Sequence, residues 1–114
     1  MPAVPKPRRQ RTKHYFREWR EYRRLSRERA VERLGWSLSK MSRIESGKTP
    51  YNEDDLAAAA EAYQTTPTSL IEVNPHMEGE VVDLMQILRK ADPNTRKEIR
   101  DIAERIVNLA GGSR

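Results

Sequence analysis

The chain has 114 residues, no cysteine and a formal net charge of +5 at pH 7. Its length fits one domain with a short appended element. The lack of cysteine excludes disulfides and thiolate metal sites. No apolar run is long enough for a transmembrane helix and no apolar signal core is present, so we expect a cytoplasmic protein with no membrane partner.

The charge is unevenly distributed along the chain. Residues 1–50 contain 15 Lys and Arg against five Asp and Glu, whereas residues 51–114 contain seven against 12. Such an asymmetry indicates a polyanionic partner for the first half. The alternative is a basic helix surface that is merely solvated. A membrane-surface helix is less favoured, because turns and glutamates interrupt the basic face.

Residues 1–13 form a basic segment with three prolines and no apolar period. This pattern predicts a disordered basic arm. Such an arm can enter the minor groove of DNA, and a solubilising tail is the alternative. The candidate contacts within it are Arg8, Arg9, Arg11 and Lys13.

Five helices are predicted between residues 14 and 75. Tyr15, Trp19 and Tyr22 share one helical face. Ser26 and Ser37 are good N-cap residues, and glycines stand where the second and third helices should end. The predicted helices cover residues 14–24, 27–34, 38–46, 52–63 and 66–71.

The character of the chain changes after Asn74-Pro75, which predicts a break followed by a linker over residues 76–79. Two further helices are expected between residues 80 and 114, separated by Asp92-Pro93. The last, over 94–110, has an apolar a/d seam, formed by Ile99, Ile102, Ile106 and Leu109. The predicted fold class is therefore all-α, with a five-helix domain followed by a C-terminal helical pair.

The seam has three possible packing partners. It can form a homodimer directly, or pack on Val81, Leu84 and Leu88 to make a hairpin that dimerises. The third possibility is that it packs onto the first five helices of the same chain.

The third helix has two distinct faces at 100° per residue. Met41 and Ile44 fall on one side, which predicts a core face. The opposite face is small and polar apart from Leu38 and Arg43, as suits an approach to base edges. The predicted base contacts are Leu38, Ser39, Ser42 and Arg43. An ordinary surface helix is the alternative.

The segments LSRE (25–28), LGWS (34–37) and MSRIESGK (41–48) together resemble the Cro and phage-repressor type helix-turn-helix family, also called the XRE family. The resemblance covers about residues 14–74. It implies a lambda-repressor-like DNA-binding domain in a bacterial or phage-infected cell. It also implies a structural ion pair between Arg20 and Glu45.

The sequence shows three departures from the family pattern. Arg27 replaces a glutamine that contacts phosphate in the family, and Ala30-Val31 replaces Leu-Ala, so the angle between the two motif helices is expected to differ slightly. Trp36 replaces a small aliphatic residue. We expect Trp36 in the core, with a contact to the DNA backbone as the alternative. The predicted phosphate contacts are Arg27, Ser37, Lys40, Ser46, Lys48 and Tyr51.

These observations favour a transcription regulator that binds a palindromic operator as a homodimer, with the helix over 38–46 in the major groove of double-stranded DNA. The alternative is an antitoxin-type adaptor whose helices within 80–110 bind a protein partner, since the acidic second half suits a basic one. An enzyme is not expected. His14 and His76 are interpreted as surface residues, no nucleophile or phosphate-loop motif is present, and no cofactor or metal is predicted.

Overall fold

The computed structural model describes residues 13–111. This part of the chain contains seven helices and no strand, which confirms the all-α prediction. The helices are α1 (Phe16–Tyr22), α2 (Arg27–Leu34), α3 (Leu38–Glu45), α4 (Glu53–Ala62), α5 (Pro67–Glu72), α6 (Pro75–Lys90) and α7 (Pro93–Ala110). The chain forms two compact units that divide after Gly79.

The first unit contains α1 to α5 around one core. Helix α3 packs against α1 and α2, while α4 packs against α2 and α5. Burying a large apolar side chain stabilises a fold by roughly 1.5–3 kcal/mol, so the large core side chains provide much of the stability of this unit. Those with less than 2% of their surface exposed are Phe16, Trp19, Met41, Ile44, Tyr63 and Leu70.

Helices α2, α3 and α4 are each capped at their N-terminus by a side chain, from Ser26, Ser37 and Asn52 respectively. The hydroxyl of Ser26 accepts the N–H of Arg29 at 3.1 Å, and the hydroxyl of Ser37 accepts the N–H of Lys40 at 3.0 Å. Asn52 and Asp55 form a reciprocal capping box at the start of α4. Each cap satisfies a backbone donor that the helix itself leaves unpaired.

Helices α1 and α4 are each followed by a left-handed residue that is not glycine. Helix α1 ends at Tyr22, shorter than predicted, because Arg24 adopts a left-handed conformation with φ +58°. Gln64 does the same after α4, with φ +52°. In both turns, carbonyls in the last helical turn still accept N–H groups, as from Leu25 to the carbonyl of Arg20 at 3.1 Å. This pattern is the Schellman motif, in which glycine is usual.

Residues 76–79, which were predicted to be a linker, lie in α6, which already begins at Pro75. The carbonyl of Asn74 accepts the N–H groups of Met77 and Glu78, both at 3.0 Å, and its side-chain oxygen accepts the N–H of His76 at 3.1 Å. Proline is also favourable at a first helical position. The expected interruption takes the form of a kink at Glu78, where φ is −130°.

The second unit contains the rest of α6 and all of α7. The Arg96 guanidinium donates to the carbonyls of Leu88 and Arg89 at 2.5 and 2.8 Å, which satisfies the C-terminal end of α6. No residue of α7 is buried: Ile102 is 47% exposed and Ile106 is 59% exposed. No helix within residues 13–111 is both long and apolar enough to cross a membrane.

Candidate nucleic-acid interface

Helices α2 and α3 are joined by a three-residue turn. Gly35 closes α2 in the left-handed region at φ +71°, where a side chain would be strained. The carbonyl of Val31 accepts the N–H groups of Gly35 and Trp36 at 2.8 and 3.2 Å. Ala30 is completely buried and Val31 is half-buried. The small residue of this pair is therefore the one that faces the core.

Helix α3 presents a polar face above a buried one. Met41 and Ile44 are at most 1% exposed and fix the helix to the core. The outward face is formed by Leu38, Ser39, Ser42 and Arg43, all exposed. One terminal nitrogen of Arg43 donates to the hydroxyl of Ser39 at 2.5 Å. The structure thus brings the four predicted base contacts together on one exposed surface.

A buried ion pair fixes the end of α3 to α1. The Nε of Arg20 lies 2.7 Å from Glu45 Oε2, and a second guanidinium nitrogen of Arg20 donates to Oε1 at 3.2 Å. The hydrogen bond to Glu45 raises the pKa of Arg20 despite the opposing effect of burial. Arg27 approaches the same carboxylate, with its Nε 3.6 Å from Oε1. Breaking one side of the buried pair would leave an uncompensated charge.

The predicted phosphate contacts lie around the α2–α3 motif. Lys48 is exposed in the turn after α3, and Arg27 is exposed at the start of α2. Ser37 is occupied as the cap of α3, and the hydroxyl of Ser46 donates to the Arg43 carbonyl at 3.2 Å. Tyr51 is half-buried, with its ring centroid 5.0 Å from that of Phe16. Contacts of these side chains with phosphate remain predictions.

A family model described as a helix-turn-helix domain matches residues 14–72, which is more than half of the chain. The chain belongs to the helix-turn-helix domain family. Neither the curated proteins nor the solved structures gave a match. Membership of the family indicates that the first unit is a DNA-binding domain.

Within this helix-turn-helix domain, Lys40 and Trp36 differ from expectation. Trp36 is half-buried rather than part of the core. The Lys40 ammonium lies 4.9 Å from the centroid of its indole ring and 2.8 Å from Asp55 Oδ1. The positive charge that was expected on phosphate therefore already has two partners inside the domain. Trp36 precedes the N-cap of α3, so the spacing of side chains along a helix gives no signal for this contact.

His14 was interpreted as a surface residue, which was wrong. It is half-buried, with its ring 4.9 Å from that of Phe16 and 5.6 Å from that of Tyr51. Burial lowers the pKa of His14 below its usual value, although a hydrogen bond to the backbone of Ile44 and nearby glutamates oppose this. Its Nδ1 is one of two buried side-chain atoms, within the described part of the chain, that lack a hydrogen-bond partner.

The basic arm is described only at its end. Lys13 is exposed, with its ammonium 5.4 Å from the centroid of the Tyr15 ring. Arg8, Arg9 and Arg11 lie outside the described residues, so their contact with the minor groove stays a prediction.

Proposed function

We propose that this protein is a transcription regulator that binds a palindromic operator as a homodimer, with α3 of each protomer in the major groove. It would act on DNA in the cytoplasm of a bacterial or phage-infected cell. The observation that carries the proposal is the exposed face of α3, small and polar around Arg43 and fixed from below by Met41 and Ile44.

This face has the chemistry needed to read base edges. The guanidinium of Arg43 can donate to both O6 and N7 of guanine. Leu38 is 48% exposed and can contact a thymine methyl group. Ser39 and Ser42 are small enough for the helix to approach the bases closely. On either side of this face, Arg27 and Lys48 are exposed, and we expect both to contact phosphates.

Dimerisation through α7 is supported by its exposed seam. Leu109 is 79% exposed and Ile106 is 59% exposed, so a second protomer would remove a continuous apolar stripe from water. Two half-sites one helical turn apart, about 34 Å, would then match the two-fold axis of the dimer.

The alternative, an adaptor that binds a basic protein, has weaker support from the charges. The acidic excess of the second half lies in residues 51–79, which hold six Asp and Glu and no Lys or Arg. Residues 80–110 hold six of each sign. A balanced surface of this kind offers a basic partner no net attraction, and it suits pairing between identical helices.

Selection of bound sites from a random DNA pool tests this function. The recovered site should be palindromic and bound about 10³-fold or more tightly than random DNA across a salt series. Recovery of no consensus, with only a steep dependence on salt, would instead identify a non-specific binder of polyanions.

A further inference from the structure

Lys40 is held on two sides at the edge of α3. Its ammonium lies 2.8 Å from Asp55 Oδ1 at the start of α4 and 4.9 Å from the centroid of the Trp36 ring in the turn before α3. The ammonium therefore connects the turn before α3, the first turn of α3 and the N-terminus of α4.

Asp55 is a rigid partner for this lysine. Its Oδ2 accepts the N–H of Asn52 at 3.1 Å, while its own N–H donates to the side chain of Asn52 at 2.7 Å. Only 9% of its side-chain surface is exposed. Burial acts to raise the pKa of Asp55, but hydrogen bonds from Lys40 and the Asn52 backbone, with the charge of Lys40, hold it below its usual value. The carboxylate is thus charged and fixed in place at neutral pH.

A phosphate would meet an unfavourable environment beside this pair. The Asp55 carboxylate neutralises the ammonium at short range and would repel a second anion. Lys48, in contrast, is exposed in the turn that follows α3, where a phosphate can reach its ammonium. The two lysines should therefore respond differently to removal.

We propose that Lys40 is a positioning residue, which fixes the first turn of α3 through Asp55 and so determines where Leu38 and Ser39 meet the bases. This inference rests on the proposed function, since it assigns the residue a part in sequence discrimination. Groups that position a binding surface must hold it within about 0.5 Å, and an ion pair to a capped helix end supplies such a constraint.

The test compares the wild type with the double variant Lys40→Met and Asp55→Asn. This variant keeps the net charge, and the amide oxygen introduced by the second substitution can still accept the N–H of Asn52. Affinity is measured on the selected operator and on random DNA over a salt series. We expect affinity for the operator to fall about tenfold, which is the value of roughly one base contact. Affinity for random DNA and the salt slope should stay unchanged.

Two further variants make the result decisive. Lys48→Met should lower the salt slope by about 0.9 and weaken all sequences alike. Lys40→Arg keeps the ion pair and should retain discrimination. Thermal unfolding of each variant confirms that it is folded.

Different results overturn different proposals. A salt slope lowered by about 0.9 in the double variant, with equal loss on all DNA, would show that Lys40 contacts phosphate. Unchanged discrimination by the double variant would overturn the positioning role alone. A wild-type protein that binds all sequences equally would overturn the proposed function, and the positioning role with it.

Discussion

At the scale of single residues, Arg43 is the side chain on which we expect base recognition to depend most. Its hydrogen bond to Ser39 Oγ, at 2.5 Å, restrains the guanidinium along the exposed face of α3. A side chain restrained before binding loses less conformational entropy when it meets a base. The same interaction leaves the remaining N–H groups of the guanidinium able to donate to guanine.

Replacing Arg43 by alanine should therefore reduce discrimination at one base pair in each half-site. We expect a loss of about 1–3 kcal/mol on the operator and little change on a site mutated at that base pair. Competition binding with single-base operator variants measures this. An equal loss on random DNA would show that Arg43 contacts only phosphate.

His14 introduces a dependence of stability on pH. Its pKa is lowered in the folded state by burial, and the unfolded value is about 6.5. Folding therefore favours the neutral ring, so this stabilisation is present above pH 6.5 and is lost as the pH falls through the folded pKa. Protonation would also place a second donor at the buried Nδ1, which lacks a hydrogen-bond partner within residues 13–111.

The free energy of unfolding of the wild type should accordingly decrease between pH 7 and pH 5. His14→Gln should remove most of this decrease, and His76→Gln, at an exposed position, should leave it in place. Urea denaturation at several pH values gives the comparison. Asp55 does not interfere, because its lowered pKa places its titration below this range. The same decrease in all three proteins would assign it to other groups.

At the scale of elements, the sequence predicted those helix ends that depend only on neighbouring residues. The caps at Ser26 and Ser37 and the glycine turns at 35 and 47 each depend on residues within one turn of the helix end, so their signals are visible in the chain. The core face of α3 followed from its 3.6-residue period. The left-handed turns after α1 and α4 contain no glycine, so no such signal marks them.

Tertiary contacts explain those two helix ends. Arg24 and Gln64 occupy left-handed positions that normally favour glycine. Next to them, the guanidinium of Arg23 donates to the carbonyls of Tyr63 and Gln64 at 2.7 and 2.9 Å, which links the two turns. The partners are about 40 residues apart in the chain, so no local pattern reveals them. The pairing of Lys40 with Asp55 was missed for the same reason.

The left-handed position of Gln64 gives a test at this scale. Gln64→Gly should stabilise the protein relative to Gln64→Ala by roughly 1 kcal/mol, because only glycine adopts φ +52° without a steric cost. Both substitutions remove the glutamine side chain, so their difference isolates the backbone. Thermal denaturation measures it. Equal stability of the two variants would mean that the turn relaxes to accommodate the Cβ atom.

At the scale of the whole molecule, the sequence predicted an apolar seam but not its partner. A stripe at a/d spacing has the same pattern whether a second protomer, another protein or the same chain covers it. No residue of α7 is buried, so residues 80–111 by themselves do not cover the seam. The balanced charge of residues 80–110 then favours a second copy of the chain.

Ile102→Asp combined with Ile106→Asp should therefore give a folded monomer. Two carboxylates in the seam would be buried without partners in a dimer. Because the two half-sites would no longer be bound through one linked molecule, affinity for the full operator should fall by about 10²-fold or more. Sedimentation, circular dichroism and operator binding report assembly, folding and function separately.

The matched control is Lys97→Gln combined with Arg100→Gln, which changes the net charge by the same amount at exposed positions outside the seam. This control should remain dimeric. Its affinity should fall only to the extent that lost positive charge weakens binding to all DNA. If the aspartate variant unfolds, the seam belongs to the core of the chain. If it remains a dimer that binds the operator normally, the protomers associate through the helix-turn-helix domain instead, and α7 is left for another partner.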